Sequence, residues 1–432
     1  MSSQERPRKS FRNPWAWIPS LYFAQGIPYV IVMNVAVIMY KKFDLSNTDI
    51  ALYTSWLYLP WVIKPFWSPF VDILKTKRWW IVSMQLLIGA GLAGIGFTLP
   101  APFYLKASLA FFWLMAFSSA THDIAADGFY MLGLDDSQQS FFVGIRSTFY
   151  RLAMITGQGA LVILAGYLEK KTGNIPYAWS ITFFVLAGLF IAFWLYHQFI
   201  LPYPVSDKGK SASTPAEVAK EFGKTFKSFF TKDGIGLAIA FILLYRLAEA
   251  MLVKLAQPFL LDAREIGGIG LTTQQVGIAY GTVGIICLTI GGIVGGIVAS
   301  RQGLKYWLWP MALAITLPNA AYLLLSILMP ENFLWISVAV GVEQLGYGFG
   351  FTAYMLYLIY FSQGEHKTAH YSICTGLMAL GMMLPGMAAG WIQEMIGYQN
   401  FFIFIMIATI PTLILIPFMK VDKDFGKAKK EK

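Results

Sequence analysis

The sequence has few charged residues and few cysteines for its length. Asp, Glu, Lys and Arg make up only 13% of its 432 residues, whereas soluble domains contain about 25%. Together with a hydrophobic fraction of 57%, this shortage argues against an ordinary soluble domain and indicates a polytopic membrane protein. The two cysteines, Cys287 and Cys374, both fall in apolar segments, so the sequence predicts no disulfide framework.

Several motifs that carry enzymatic chemistry are also missing. There is no G-x-x-x-x-G-K-[ST] phosphate loop, which excludes a built-in ATP motor of that type. Neither a G-x-S-x-G elbow nor an H-E-x-x-H helix suggests an embedded hydrolase. His366 and His370 are four residues apart but have no third ligand nearby in the sequence, so we expect no metal. We therefore predict a protein without a cofactor and without enzymatic activity. A membrane-embedded acyltransferase is the alternative, disfavoured because the sequence offers no outward-facing nucleophile–base pair.

The apolar segments are long enough to cross a bilayer twelve times. About 20 apolar residues span the hydrocarbon core, and by that measure the sequence predicts an all-α membrane protein with twelve transmembrane helices. The predicted segments are 15–40, 46–72, 79–100, 104–131, 138–169, 176–201, 233–262, 272–299, 305–329, 332–362, 367–395 and 399–419.

Lysine and arginine are distributed unequally between the two sides of these segments. If both termini are cytoplasmic, 22 of the 33 basic residues lie in inner loops and tails, and only six lie outside. The positive-inside rule therefore predicts cytoplasmic termini. The net charge of +10 reflects this topology and does not indicate a nucleic-acid surface.

The chain divides into two halves of six segments. We predict a first bundle over 1–202, a cytoplasmic linker over 203–232 and a second bundle over 233–432. Within the linker, 216–230 places five apolar residues among lysines, a pattern typical of an amphipathic helix on the inner leaflet or of a solvated linker helix. The stretch 45–51 is echoed by 271–277 at the start of the second segment of each half, and both offer a Ser/Thr helix cap. This repeat predicts the major facilitator fold of two pseudo-symmetric six-helix bundles.

Charged residues inside the apolar segments mark a candidate site. A charge in the hydrocarbon costs roughly 2.5–3.5 kcal/mol on insertion scales and is kept when it is paired, hydrated or used. Asp123 and Asp127 are four residues apart, on one face of the fourth segment. His122 adjoins them, and Arg146 and Arg151 follow in the fifth segment. We therefore expect a polar site inside the membrane.

The second half carries its own buried charges. Arg246 and Glu249 are three residues apart, so we expect them to pair along one helical face. Glu343 lies eleven residues into the tenth segment, with Gln344 beside it and no base nearby in the sequence. Because desolvation favours the neutral acid, Glu343 is a candidate proton carrier. A salt bridge to Arg246 or Lys254 is the alternative.

These patterns give a set of predicted site residues. Lys64 lies within plausible reach of Asp123, as a structural partner or as a substrate ligand, and the polar groups of the first and seventh segments suit a sugar or an amide. The predicted proton-coupling residues are Asp123, Asp127, Glu249 and Glu343; the predicted substrate ligands are Gln25, Tyr29, Lys64, Arg151, Tyr245, Arg246 and Gln344.

Several motifs resemble those of a known transporter family. They are the stretches 23–28 (FAQGIP), 64–72 (KPFWSPFVD), 119–128 (SATHDIAADG) and 150–151 (YR), with a thinner likeness at 245–250 (YRLAEA). In these residues the sequence is similar to the AmpG branch of the major facilitator superfamily, a family of muropeptide and acetyl-CoA transporters. It departs from the family at His122, where Gln is usual, and at Arg246 and Glu249, which replace Lys and Asp.

The resemblance implies proton-driven import of an anhydromuropeptide across a bacterial inner membrane. It also implies that Asp72, followed by Arg78, latches the inner gate. We therefore predict a monomeric secondary transporter that works by alternating access and carries a polar solute together with protons. The alternative is an oligosaccharide importer of the same fold. A multidrug antiporter is disfavoured because the fifth segment lacks a Gly-Pro-rich stretch.

Overall fold

The computed structural model describes residues 13–134, 136–204, 207, 215–364 and 366–427. In these residues the chain forms twelve membrane spans and one linker helix, and each span overlaps one predicted segment. The first half contains span 1 (Ile18–Val30, Ile31–Val35 and Ala36–Lys42), span 2 (Asn47–Trp56 and Leu59–Leu74), span 3 (Lys77–Thr98), span 4 (Tyr104–Gly133), span 5 (Asp136–Met154, Ile155–Ala160 and Leu161–Thr172) and span 6 (Ile175–Ile200).

The second half follows the linker helix and repeats this arrangement. Spans 11 and 12 form one run that turns sharply at Gly397, where φ is +75°. The elements are the linker helix (Pro215–Phe230), span 7 (Ile235–Leu244 and Leu247–Leu261), span 8 (Thr273–Val276, Gly277–Gly284 and Ile285–Gln302), span 9 (Leu304–Thr316, Leu317–Asn319 and Ala320–Leu328), span 10 (Phe333–Phe361), spans 11 and 12 (Lys367–Ala408) and the end of span 12 (Ile410–Leu415 and Ile416–Phe418).

Polar residues lower the hydropathy of some spans. Eight stretches of the described chain are long and apolar enough to cross a membrane, and one of them, Ala369–Phe418, contains both spans 11 and 12. Spans 2, 4 and 10 do not belong to these stretches. Span 2 is interrupted, and spans 4 and 10 contain the carboxylates of Asp123, Asp127 and Glu343. Candidate site residues also lie in spans 1, 5 and 7, which do belong to these stretches.

The predicted helix caps of the internal repeat are confirmed. The Oγ of Ser46 accepts a hydrogen bond of 3.0 Å from the backbone N–H of Asp49 at the start of span 2. At the start of span 8, the Oγ1 of Thr272 accepts one of 3.2 Å from the N–H of Gln275. The Gln275 side chain accepts in return from the N–H of Thr272, which completes a capping box.

Span 7 is broken near its middle, although no proline lies at the break. Its first helix ends at Leu244 and its second begins at Leu247. Side-chain hydroxyls satisfy the carbonyl groups that the break leaves free: Tyr354 donates to the carbonyl of Ile242 at 2.7 Å, and Thr412 donates to that of Leu244 at 2.8 Å. The break therefore places a helix start inside the bundle without orphaned carbonyls at these positions.

The two ends of the bundle differ in how the halves meet. We call the end that carries the linker helix the linker end and the opposite end the far end. Toward the far end, a Cβ atom at Gly390 of span 11 would lie 2.0 Å from the carbonyl oxygen of Asn47 in span 2. A Cβ at Gly281 of span 8 would lie 1.9 Å from the carbonyl oxygen of Gln158 in span 5. Glycine at these positions lets the halves approach backbone to backbone.

Candidate functional site

A cavity of about 720 Å³ lies between the two halves. It extends to the linker end, because its lining includes Lys75, Lys77 and Asp207, which lie beside the start of span 3. Within the described residues its charged lining consists of four basic and two acidic side chains. These are Lys64, Lys75, Lys77, Arg246, Asp127 and Asp207.

Aromatic and polar side chains form the rest of the wall. Tyr29 of span 1 meets Trp61 of span 2 edge to face at 5.4 Å, and both rings line the cavity. Span 11 supplies a wall that the sequence analysis missed. Its lining residues recur at helical spacing, which was the available signal: Tyr371, Ser372, Thr375, Met378, Ala379 and Met382.

The two predicted acids of span 4 each have a cationic neighbour. Asp123 accepts a hydrogen bond of 3.2 Å from the indole N–H of Trp61 and lies 3.8 Å from the ammonium of Lys64. Asp127 lies 3.5 Å from the guanidinium of Arg146. Of the two, Asp127 belongs to the cavity lining. The structure therefore brings these predicted residues together and pairs their charges.

Tyr22 and Gln25 complete this cluster from span 1. The hydroxyl of Tyr22 donates to Asp127 at 3.3 Å and accepts from Arg146 at 3.0 Å. Gln25 is buried and interacts with the Asp123 carboxylate, while its Oε1 has no hydrogen-bond partner among the described groups. Gln25 therefore positions Asp123 from behind the cavity wall.

Arg246 enters the cavity from the break in span 7. It is 8% exposed, and its guanidinium donates to the hydroxyl of Tyr347 at 2.5 Å and lies 4.9 Å from the ring of Phe351. Its backbone caps the second helix of span 7, which starts at Leu247. A helix start leaves N–H groups free and carries a partial positive charge. Arg246 therefore brings a positive charge to the cavity lining beside a helix start.

The expected side-by-side pair of Arg246 and Glu249 does not form. Among the described residues no salt bridge joins them, although their charges still interact at longer range. The expectation assumed one continuous helix. Because Arg246 is the non-helical cap residue, with φ −110° and ψ 17°, it does not share a helical face with Glu249. Its side chain reaches span 10 instead.

The buried acids of the second half lie behind Arg246. Glu249 and Glu343 are 3% and 2% exposed, and their carboxyl groups interact with each other electrostatically. Gln344 donates a hydrogen bond of 2.9 Å to Glu343. The proposed salt bridge from Glu343 to Arg246 or Lys254 is absent from the described residues; Lys254 donates to Thr54 of span 2 at 3.0 Å.

A cluster of buried polar groups closes the far end, and we call it the far-end clamp. Asp262 of span 7 forms an ion pair of 2.7 Å with Lys41 of span 1 and accepts a hydrogen bond of 2.5 Å from Tyr398. Asn47 of span 2 donates to Gln393 of span 11 at 2.7 Å and to Tyr398 at 2.8 Å. These contacts join the two halves, and the sequence analysis missed them because their residues lie at separate span ends.

Two further pairs extend the far-end clamp across the interface. Glu394 of span 11 accepts from the hydroxyl of Thr48 at 2.5 Å. Glu169, at the end of span 5, accepts from the hydroxyl of Thr273 at 2.7 Å. Both sides of the interface are thus held by carboxylates that accept from helix-start hydroxyls.

Besides Gln25, three predicted substrate residues lie away from the cavity lining. Tyr245 is 2% exposed, donates to the carbonyl of Gly350 at 2.9 Å and stacks on Tyr354. Gln344 packs beside Gly284 of span 8 and binds Glu343. Arg151 lies against span 8, where a Cβ at Gly292 would be 3.3 Å from its guanidinium. Their roles as direct ligands stay predictions, and this conformation does not bring them to the cavity.

The predicted inner-gate residues are only partly described. Asp72 lies near the end of span 2, and its side chain is outside the described residues. Arg78 lies outside the cavity lining, where its guanidinium donates to the carbonyls of Gln198 and Leu201 and lies 4.0 Å from the ring of Tyr203. Its contacts fasten the start of span 3 to the end of span 6, and its gate role stays a prediction.

His122 points into the first bundle and away from the acids beside it. Its Nε2 lies 3.1 Å from the amide of Gln85, whose Oε1 lies 2.9 Å from the Nδ1 of His197. The Nε2 of His197 lies 2.9 Å from the hydroxyl of Ser20. This chain of hydrogen bonds joins spans 1, 3, 4 and 6, so His122 stabilises the packing of the first half.

The linker helix lies across the linker end and touches both halves. Phe222 and Phe226 pack against Phe66 of span 2 with ring centroids 5.7 and 5.6 Å apart. Phe229 packs against Phe361 of span 10 at 5.7 Å. A helix covers the predicted stretch, and its aromatic face contacts the two bundles; its place on the inner leaflet stays a prediction.

The chain resembles known transporters over most of its length. A family model described as Major Facilitator Superfamily matches residues 20–363. "Putative transporter AmpG 4" of Rickettsia conorii is 27% identical over 415 residues, which cover 92% of this chain and 94% of that protein. "Anhydromuropeptide permease" of Escherichia coli K12 is 26% identical over 403 residues, covering 92% and 77%. A solved POT family transporter in complex with a thioalcohol conjugated peptide has a TM-score of 0.71 at 13% identity, covering 93% and 95%, and shows the fold.

Proposed function

Because this chain belongs to the Major Facilitator Superfamily and is AmpG-like, as its motifs predicted, we propose that it imports an amino-sugar-containing muropeptide together with protons. Its relatives are transporters, and the protein is accordingly a multi-pass membrane transporter and not an enzyme. What we propose beyond this is the identity of the solute, the coupling to protons and the direction of transport.

Two features of the structure support this proposal: the cavity and the closed far end of the bundle. The cavity lies between the two halves and reaches the linker end, while the far-end clamp seals the opposite side. A rocking motion that opens the clamp and closes the linker end would expose the same residues to the other side of the membrane, which is alternating access. The excess of basic residues in the loops at the linker end supports a cytoplasmic position for that end.

The charge and shape of the cavity favour an anionic sugar derivative. Its described lining has four basic and two acidic side chains, an excess of positive charge. Arg246 and the helix start at Leu247 suit a carboxylate. Tyr29, Trp61 and Tyr371 provide flat apolar surfaces for a sugar ring. The volume of about 720 Å³ lies within the range of small-molecule sites.

Uptake into proteoliposomes tests the proposal. The full-length protein should accumulate a radiolabelled anhydromuropeptide when the pH difference drives protons in the direction of transport. Arg246→Gln should weaken uptake of this anionic solute by roughly 30-fold or more, because loss of one partner of a buried charged contact costs about 2–5 kcal/mol. Arg301→Gln is the matched control, since Arg301 is exposed at the linker end.

Two results would overturn the proposal. Accumulation that ignores both the pH difference and the membrane potential would remove proton coupling. Transport of neutral oligosaccharides in preference to the anhydromuropeptide, unaffected by Arg246→Gln, would identify a sugar importer of the same fold.

A further inference from the structure

The four candidate proton carriers differ in whether a positively charged side chain lies beside them. Asp123 has Lys64 at 3.8 Å and Asp127 has Arg146 at 3.5 Å. Glu249 lies in the first turn of the second helix of span 7 and interacts with the charge of Arg246. Glu343 has no cationic partner among the described residues, and its hydrogen bond comes from the neutral amide of Gln344.

The titratable neighbours of Glu343 are one acid and three tyrosines, from spans 7, 8, 9 and 10. The titratable groups that interact with it are Glu249 of span 7, Tyr280 of span 8, Tyr322 of span 9 and Tyr347 of its own span. None of these brings a positive charge. Glu343 lies well inside a long span: it is ten residues after Phe333, or about 15 Å from the far end.

Two buried side chains of span 9, one of which interacts with Glu343, lack hydrogen-bond partners among the described groups. Tyr322 is fully buried, interacts electrostatically with Glu343, and its hydroxyl has no hydrogen-bond partner among the described groups. Asn319 is 2% exposed, lies one helical turn from Tyr322, and neither atom of its amide has a partner. Such groups are costly to bury unless something pairs with them.

A carboxylate in this place would be a buried charge without a counter-charge, which costs several kcal/mol. We infer that Glu343 holds the transported proton, as a neutral carboxylic acid in this conformation, at a site in the second half that is separate from the solute cavity. That this proton is transported rests on the proposed function. That Glu343 is protonated rests on the geometry around it.

Glu249 and Arg246 connect this proton site to the cavity. Glu249 interacts with Glu343 on one side and with Arg246 on the other, and Arg246 lines the cavity. An anionic solute at Arg246 adds negative potential to the pair of acids and so favours the proton on Glu343. By reciprocity, the proton strengthens binding of the anionic solute. Proton and solute then travel together.

Infrared spectroscopy tests the protonation without any solute. The purified full-length protein should show the carbonyl band of a buried, protonated carboxylic acid at neutral pH. Glu343→Gln should remove that band, whereas Glu331→Gln, at an exposed acid of the far end, should leave it unchanged. Tyr322→Phe is the second variant; it keeps the ring packing and should shift the band without removing it. A parent protein without the band, or a band that Glu343→Gln leaves at full intensity, would overturn the inference.

Transport measurements then separate this inference from the proposed function. Glu343→Gln should abolish accumulation driven by a pH difference while exchange of radiolabelled for unlabelled anhydromuropeptide continues. If Glu343→Gln still accumulates the solute in response to the pH difference, Glu343 is not the carrier. If the parent protein ignores the pH difference, proton coupling itself is wrong, and the infrared band still decides the protonation of Glu343.

Discussion

At the far end Lys41 and Asp262 form an ion pair of 2.7 Å, and at the linker end Lys427 and Asp424 form one of the same length. The side chains of the first pair are 14% and 8% exposed, and those of the second are 40% and 83% exposed. The first pair joins the two halves, whereas the second joins residues three apart in the chain. Equal distances therefore carry unequal energies, because water screens the exposed pair and largely replaces it.

The comparison extends from these pairs to the whole of each end. The far end is closed by polar contacts and by glycine positions where backbones touch, such as Gly390 against Asn47. The linker end contains a cavity lined by three lysines, of which Lys75 is exposed. Hydrogen bonds between protein groups exchange for hydrogen bonds to water at a modest net cost. A polar clamp can therefore seal one end tightly and still open during a transport cycle.

The largest expected effect comes from removing the charge of Asp262. Asp262→Asn leaves the largely buried ammonium of Lys41 without its counter-charge, which costs about 3 kcal/mol or more. The population with a closed far end should fall by roughly 100-fold relative to the population with an open far end. Distances between spin labels at the exposed far-end positions Lys106 and Glu331, measured by double electron–electron resonance, should lengthen.

The label experiment needs a background without the native thiols of Cys287 and Cys374. An unchanged distance distribution in Asp262→Asn would mean that the ion pair does not hold the far end closed.

A smaller effect is expected where a side chain is added instead of a charge removed. Gly390→Ala places a Cβ 2.0 Å from the carbonyl oxygen of Asn47, so spans 2 and 11 must separate. Overpacking of this kind costs about 1–3 kcal/mol and should also favour the open far end. Gly188→Ala is the matched control, because nothing lies within 4 Å of its added Cβ. Equal label distances in the two variants would contradict the close packing at this interface.

The smallest effect is expected at the exposed pair of the linker end. Asp424→Asn should leave the thermal melting temperature and the label distances unchanged. The hydrogen bond from Lys427 holds the pKa of Asp424 below its usual range. The contribution of this pair to the free energy of unfolding is therefore present at neutral pH and is lost only as the pH falls through the lowered pKa. A clear destabilisation at neutral pH would show that exposure is a poor guide to the strength of these pairs.

The sequence correctly predicted the features that depend on the residues of a single span. The shortage of charge, the length of apolar runs and the two Ser/Thr caps predicted twelve spans and an internal repeat, because hydropathy and capping are local properties. The clustering of Asp123 and Asp127 with Lys64 and Arg146 could also be anticipated, because charges stranded in lipid require partners.

The sequence did not predict the features that depend on contacts between several spans. Nothing local marks the break at Arg246, so the predicted pairing with Glu249 was wrong. The far-end clamp combines residues from the ends of spans 1, 2, 5, 7, 8, 11 and 12, which no spacing rule brings together.

Composition and periodicity alone determined that this chain crosses the membrane many times. They also determined which polar groups lie within the membrane, because the free-energy cost of a charge in the hydrocarbon applies to each residue separately. The tertiary structure decided which of those charges found a counter-charge. Pairing depends on distances between spans that are far apart in sequence, and this is why Asp123 and Asp127 lie beside cations while Glu343 has no cationic partner among the described residues.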